Sequence, residues 1–170
     1  RCRLVALCDK EADRRAGDWS NVGGNLGDAQ GTQRDLGDIR LYADWREVIE
    51  ADDIDLVDIC VPTVLHPEIA IAALAAGKHV LCEKPMALNA AEAESMLAAA
   101  RRAKRRLMIN FSFRFTPPSM ALKSEVEGKA LGEVYFARTV WLRRRGMPSF
   151  GGWFGKKALA GGGPLIDLGV

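Results

Sequence analysis

The chain has 170 residues, 48% of them hydrophobic, with 24 basic against 22 acidic side chains and a formal net charge of +2. That length suffices for one domain with a sizeable core, or for one domain and part of a second. The near-neutral balance leaves no footprint for nucleic acid, and no run approaches the ~20 apolar residues of a membrane helix, so neither partner is expected.

Strand-like and helical patterns alternate from the start. Arg3–Cys8 is apolar and ends in Asp9; it opens with a buried-strand pattern, with no methionine and no preceding turn. Lys10 to Asp18 is polar and compatible with a helix, and Trp19 to Gly37 is a loop rich in Gly, Asn, Asp and Gln. Ile39–Tyr42 is a short strand. Asp44 then caps a helix through Ala51 whose apolar side is Trp45, Val48 and Ile49. Leu56–Val61 is another apolar run, followed by Pro62 and Thr63. His66–Ala76 is an alanine-rich helix closed by Gly77, and Lys78–Cys82 is the next strand. Asn89 caps a helix to about Ala103, where Arg101, Arg102 and Lys104 suit the negative end of the helix dipole. Arg106–Phe111 is one more strand. Apolar strands alternating with helices predict a parallel sheet covered on both faces.

After Pro117 and Pro118 the pattern changes. A helix of roughly ten residues precedes a long alternating strand from Glu133 to about Arg143, which suggests an antiparallel sheet. The expected division is 1–116 for the first domain and 117–170 for the start of a second. The chain halts at Val170, just inside a segment that looks like a helix beginning. Both ends look cut, and an internal fragment of a longer protein is expected.

Chemistry concentrates in the block Ala76 to Pro85. Its strand delivers Glu83 and Lys84 to its carboxyl end and stops at Pro85, after a peptide bond that is a candidate for the cis form. Ligands of open α/β sheets bind at the carboxyl ends of strands, and a lysine fixed there is a candidate general acid/base. The four cysteines, Cys2, Cys8, Cys60 and Cys82, show no Cys-x-x-Cys pairing. They read as small buried hydrophobes of a reducing, cytoplasmic compartment. No metal site is expected, because the only histidines, His66 and His79, lack ligand neighbours at coordinating spacing.

Five segments in order resemble the Gfo/Idh/MocA family of NAD(P)-dependent oxidoreductases. They are the strand ending Cys8-Asp9, the run Asp55 to Thr63 with His66, the block Ala76 to Pro85, Asn110 with Arg114, and Gly161 to Val170. The resemblance implies an α/β chain: an incomplete Rossmann-type parallel sheet, then the start of an α+β domain with an open antiparallel sheet. It places the first strand and its glycine-rich phosphate turn before Arg1, so the glycines from Gly23 to Gly31 are not that turn. It also implies a sugar, cyclitol or related polyol as substrate, and a homo-oligomer when full length.

The same resemblance assigns roles. Asp9 would bond the adenosine ribose hydroxyls and favour NAD over NADP, with Lys10, Arg14 and Arg15 softening that preference. Pro62, Thr63 and His66 would lie against the nicotinamide riboside. Glu83 and Lys84 would flank the nicotinamide ribose and the substrate, with Lys84 accepting the hydroxyl proton. Asp167 would assist as the first member of an Asp-x-x-x-His pair whose histidine falls one position beyond Val170. Arg114 and Trp153 would contact substrate; the cluster Arg143 to Arg145 reads equally well as a substrate contact or a solvated strand end. Two other readings stand beside the dehydrogenase: a redox-neutral NAD-dependent glycosidase or lyase, and an NAD(P)-binding sensor without turnover.

Overall fold

A computed structural model describes residues 2–20, 33–142 and 152–169. The glycines from Gly23 to Gly31 and the cluster Arg143 to Arg145 lie outside the described residues.

The strands form two separate parallel sheets. β1 (Ala6–Cys8) pairs with β2 (Arg40–Tyr42), and the second sheet has the order β3 (Leu56–Ile59), β4 (His79–Glu83), β5 (Leu107–Asn110). This is the arrangement of the two flanks of a doubly wound sheet of order 3-2-1-4-5-6, with β1 and β2 at positions 2 and 3 and β3 to β5 at positions 4, 5 and 6. Among the described residues no strand joins the flanks.

Between the strands run helices whose ends the sequence specifies. α1 (Ala12–Arg15) is a single turn. α2 (Trp45–Glu50) starts at Asp44, whose carboxylate accepts from Arg46 N at 2.9 Å. α3 (His66–Ala75) ends where Gly77, at φ 80°, supplies the left-handed residue the turn requires. Gly77 N then donates to Leu74 O and Lys78 N to Ala73 O, the two bonds of a Schellman cap. α4 (Ala90–Ala103) opens with a capping box: Glu92 N donates to Asn89 Oδ1 at 3.0 Å while the Glu92 carboxylate accepts from Leu88 N and Asn89 Nδ2. It closes on the same cap as α3, with Lys104 at φ 52° in the left-handed place.

The core lies where α3 and α4 cover β4. Ala70, Ala73 and Leu74 of α3 meet Met96, Ala99 and Ala100 of α4 over Val80 and Cys82, and Ile59 and Ile69 complete the cluster. Alanine on both helices lets their backbones approach closely, and Leu74 and Met96 each contribute about 1.5–3 kcal/mol by burial. Lys78 is also buried; its ammonium donates to Ala51 O at 2.6 Å, serving the last carbonyl beyond α2.

Two expectations are corrected. Burial on both faces holds for no described strand: β4 buries Val80 and Cys82 on one face while His79, Leu81 and Glu83 on the other are half-buried, and no residue of β1 or β2 is buried, with Leu41 46% exposed. A strand is covered on both faces only when helices pack on each side of the sheet; α3 and α4 both lie over the Val80 and Cys82 face, and β1–β2 packs mainly against α2. The expected burial of the cysteines holds only for Cys82, whereas Cys2, Cys8 and Cys60 are exposed, Cys8 because β1 has little cover; all four are free thiols. The second correction concerns the long strand from Glu133. α5 (Pro117–Glu127) forms as expected, but 133–142 adopts no strand. An extended segment needs a ladder partner for its N–H and C=O groups. Among the described residues none pairs with it, and Tyr135 and Leu142 stand 96% and 90% exposed.

Candidate active site

The register of the three-stranded sheet brings its carboxyl ends level, with Ile59 beside Cys82 and Glu83 beside Asn110. Beyond β3 the chain runs through Cys60, Val61 and Pro62 into a 3₁₀ turn, Thr63–Leu65, and then α3. Thr63 and His66 are both 1% exposed. The two ring nitrogens of His66 each face a backbone carbonyl at 2.9 Å, Nδ1 that of Pro85 and Nε2 that of Val61.

Beyond β4 come Glu83, Lys84 and Pro85, and the Lys84–Pro85 bond is cis. Asn110 Nδ2 donates to Glu83 Oε1 at 2.6 Å, and Lys84 N donates to Glu83 Oε2 at 3.3 Å. Glu83 is therefore held from both sides.

The third wall comes from far along the chain. The 3₁₀ turn Trp153–Gly155, then α6 (Lys157–Ala160), packs against the turn Thr63–Leu65. Gly161, at φ 80°, then passes so close to Leu88 that a Cβ would lie 3.2 Å from its Cδ2. α7 (Pro164–Leu168) follows and carries Asp167. Lys84 Nζ donates to Asp167 Oδ1 at 2.5 Å and to the Asp167 carbonyl at 2.8 Å, and the two side chains are 27% and 18% exposed. Charge-assisted bonds of this kind are about twice as strong as neutral ones.

These three walls enclose a cavity of about 230 Å³. Cys60, Val61 and Thr63 line it from β3, Glu83, Lys84 and Pro85 from β4, and Trp153, Ala160, Gly163 and Asp167 from the distal segment. Burial first, then the Asp58 and Glu83 carboxylates, push the Cys60 thiol up to about 11, although it reaches solvent through the cavity.

Of the residues named from sequence, the structure brings Thr63, Glu83, Lys84, Trp153 and Asp167 together here. It does not bring Pro62, His66 or Arg114 to the lining. His66 is buried with both nitrogens engaged on carbonyls, and Pro62 stands at the entry of the 3₁₀ turn. Arg114 is exposed with its guanidinium 5.0 Å above the Phe111 ring. Asp9 lies at the end of β1: Oδ1 accepts from Glu11 N at 2.9 Å, Oδ2 faces Arg14 Nη1 at 3.4 Å, and its carbonyl accepts from Arg15 Nη1. Sequence reasoning missed Cys60 as a lining residue and Asn110 as the partner of Glu83. The second had a signal, since each is the polar residue that ends its apolar strand.

The donors and acceptors present fit a dinucleotide. A carboxylate offers about four lone-pair positions, and two contacts on Asp9 leave capacity for ribose hydroxyls at a strand end. The cavity at the neighbouring strand ends joins an amine, two carboxylates and an indole on apolar walls. Among the described residues no group of three His, Cys, Asp or Glu side chains is placed to hold a metal ion, and no helix is long and apolar enough to cross a membrane.

Comparison with known proteins places the chain in a family. The D-glucoside 3-dehydrogenase of Escherichia coli (strain K12) is 35% identical over 167 residues, which cover 98% of this chain and 43% of that protein. The levoglucosan dehydrogenase of Pseudarthrobacter phenanthrenivorans is 38% identical over 128 residues, covering 74% of this chain and 33% of that one. A solved structure of a levoglucosan dehydrogenase in complex with NADH and levoglucosan matches with a TM-score of 0.63 at 34% identity, over 76% of this chain and 36% of the other. The chain thus spans less than half the length of these relatives. A family model described as an oxidoreductase family with an NAD-binding Rossmann fold matches residues 25–111, and the chain belongs to that family, Gfo/Idh/MocA.

Proposed function

We propose that the full-length protein is an NAD(P)-dependent dehydrogenase that oxidises a secondary alcohol of a sugar, cyclitol or related polyol, or reduces the corresponding ketone. The observation that carries this reading is the Lys84 amine held on Asp167 at the mouth of a cavity built from strand ends. The names of the relatives support it, since they act on a glucoside and on levoglucosan.

Bound nicotinamide supplies the hydride acceptor or donor; the protein supplies orientation and proton handling. An alcohol gives up its carbon-bound hydrogen as hydride only while its hydroxyl proton leaves. In its unprotonated form Lys84 Nζ has a lone pair to accept that proton, and in reduction its ammonium returns it. Asp167 holds the amine through side chain and main chain at once, so its aim does not rest on one bond. Glu83, pinned by Asn110, would accept from nicotinamide ribose hydroxyls, and Thr63 would close the wall beside them. Trp153 presents an indole against which the apolar face of a sugar ring stacks. Asp9 would take the adenosine ribose hydroxyls, favouring NAD over NADP, whose 2′-phosphate the carboxylate repels. The division near Pro117 belongs to the same proposal. Lys84 would come from the dinucleotide-binding part, 1–116, and Asp167 from the part that begins at 117, so the site forms only when the two are joined.

The test is a panel of aldoses, glycosides and inositols offered with NAD⁺ and NADP⁺ to the full-length protein. The reading requires reduced nicotinamide to accumulate in proportion to product. Product without net reduced cofactor would indicate the redox-neutral reaction, and cofactor binding without product a sensor.

A further inference from the structure

His66 is the one buried titratable side chain in the lining loops that the proposed chemistry does not use. It joins the β3 loop to the β4 loop: Nε2 meets Val61 O and Nδ1 meets Pro85 O, both at 2.9 Å. Val61 and Pro85 both line the cavity, and Pro85 directly follows Lys84. The ring itself is 1% exposed and reaches neither the lining nor solvent. A backbone carbonyl accepts but cannot donate, so each contact is a bond only where the ring nitrogen carries a hydrogen.

We propose that His66 is a positioning residue for Lys84, acting through an Nδ1–H bond to the Pro85 carbonyl. Proline has no N–H, so at that residue the β4 loop offers only its carbonyl to a partner, and His66 Nδ1 faces it. Lys84 is steadied from the other side by its own N–H on Glu83. The His66 bond fixes the following peptide, and the two together set the direction from which Nζ reaches Asp167. The contact to Val61 ties the β3 wall to the same ring but lies on a different loop from the amine. Of the two contacts, the one to Pro85 therefore governs proton transfer. This inference rests on the proposed role of Lys84.

Two side chains separate the bonds. The amide nitrogen of asparagine stands near the place of Nδ1, and that of glutamine near the place of Nε2. In the full-length protein, H66A and H66Q should lower kcat about tenfold or more, because small misplacements of a catalytic group are expensive. H66N should restore most of that loss, while the KM for NAD⁺ and the melting temperature of H66N and H66Q stay alike. Equal rescue by glutamine, or kcat unchanged in H66A, overturns the proposal. A second measurement needs no variant. In histidine labelled with nitrogen-15, the Nδ1 of His66 must carry a hydrogen, and a ring protonated on Nε2 alone overturns the proposal even if no variant folds. Wild-type turnover measured first separates failure of this inference from failure of the dehydrogenase reading, which an inactive wild type would sink by itself.

Discussion

The two sheets of this chain are built from similar apolar segments, yet only one has an interior. Val80 and Cys82 of β4 are 2% and 0% exposed, whereas β1 and β2 contain no buried residue. β4 has a strand on each side and α3 and α4 packed on it; β1 has one strand partner and little cover beyond α2. Burial is thus a property of neighbours rather than of the strand's own composition. The candidate site follows the same division in part, because Cys60, Val61, Thr63, Glu83, Lys84 and Pro85 follow the ends of the sheet that has a core, while Trp153, Ala160, Gly163 and Asp167 close it from the distal segment. Lys84 and Glu83 are thus held by a packed strand behind them, which is what a site needing sub-ångström placement requires.

The comparison breaks most visibly under core truncation. Leu74→Ala, in the helix that roofs β4, should lower stability by about 2–5 kcal/mol. Leu41→Ala in β2 should change it by less than about 0.5 kcal/mol. Urea titrations of the two variants read the difference directly, and similar losses would mean that β2 has a cover the structure does not show.

Next in size is the reactivity of Cys60. With its thiol pushed up to about 11 from the usual value of 9.0, its thiolate at pH 8 is about a hundredfold scarcer than that of an ordinary cysteine. Alkylation at Cys60, followed by mass spectrometry, should be slow at pH 8 and climb steeply from pH 9 to pH 11. Bound NAD should slow it further, because the thiol lines the proposed cofactor cavity.

Smaller effects sharpen the picture of how α4 is held. Asn89→Ala removes the side-chain acceptor for Glu92 N and should lower the urea midpoint by the equivalent of about 1 kcal/mol. Lys104→Gly should act in the opposite sense. It relieves a left-handed lysine at φ 52°, offset in part by the extra freedom of glycine in the unfolded chain, for a net gain of about 0.5 kcal/mol.

Much of the local architecture was legible in the residues. Asp44, Asn89 and Gly77 end or begin helices where their chemistry requires it, and each performs the bond that type of residue makes. The meeting of Lys84 with Asp167, 83 positions apart, could be anticipated only through the family resemblance, since no local pattern links the two. Three readings depended on neighbours and went differently. An exposed or buried cysteine looks the same in a one-dimensional run, so Cys2, Cys8 and Cys60 are exposed where burial is expected. The alternation from Glu133 describes a face able to pair, but pairing needs a second strand. His66 stands among residues that suggest ligand contact, and only three-dimensional packing reveals that both its nitrogens already have carbonyl partners.

The central claim is that the Lys84 amine, aimed by Asp167, handles the proton in the reaction. It is tested most directly by Lys84→Ala in the full-length protein, with kcat and the dissociation constant for NAD⁺ measured on the same preparation. The account predicts a fall in kcat of about 10²–10⁴, with cofactor affinity within about threefold of the original, because a cofactor held mainly elsewhere keeps most of its binding energy. Undiminished turnover, with the cofactor still bound, would contradict it.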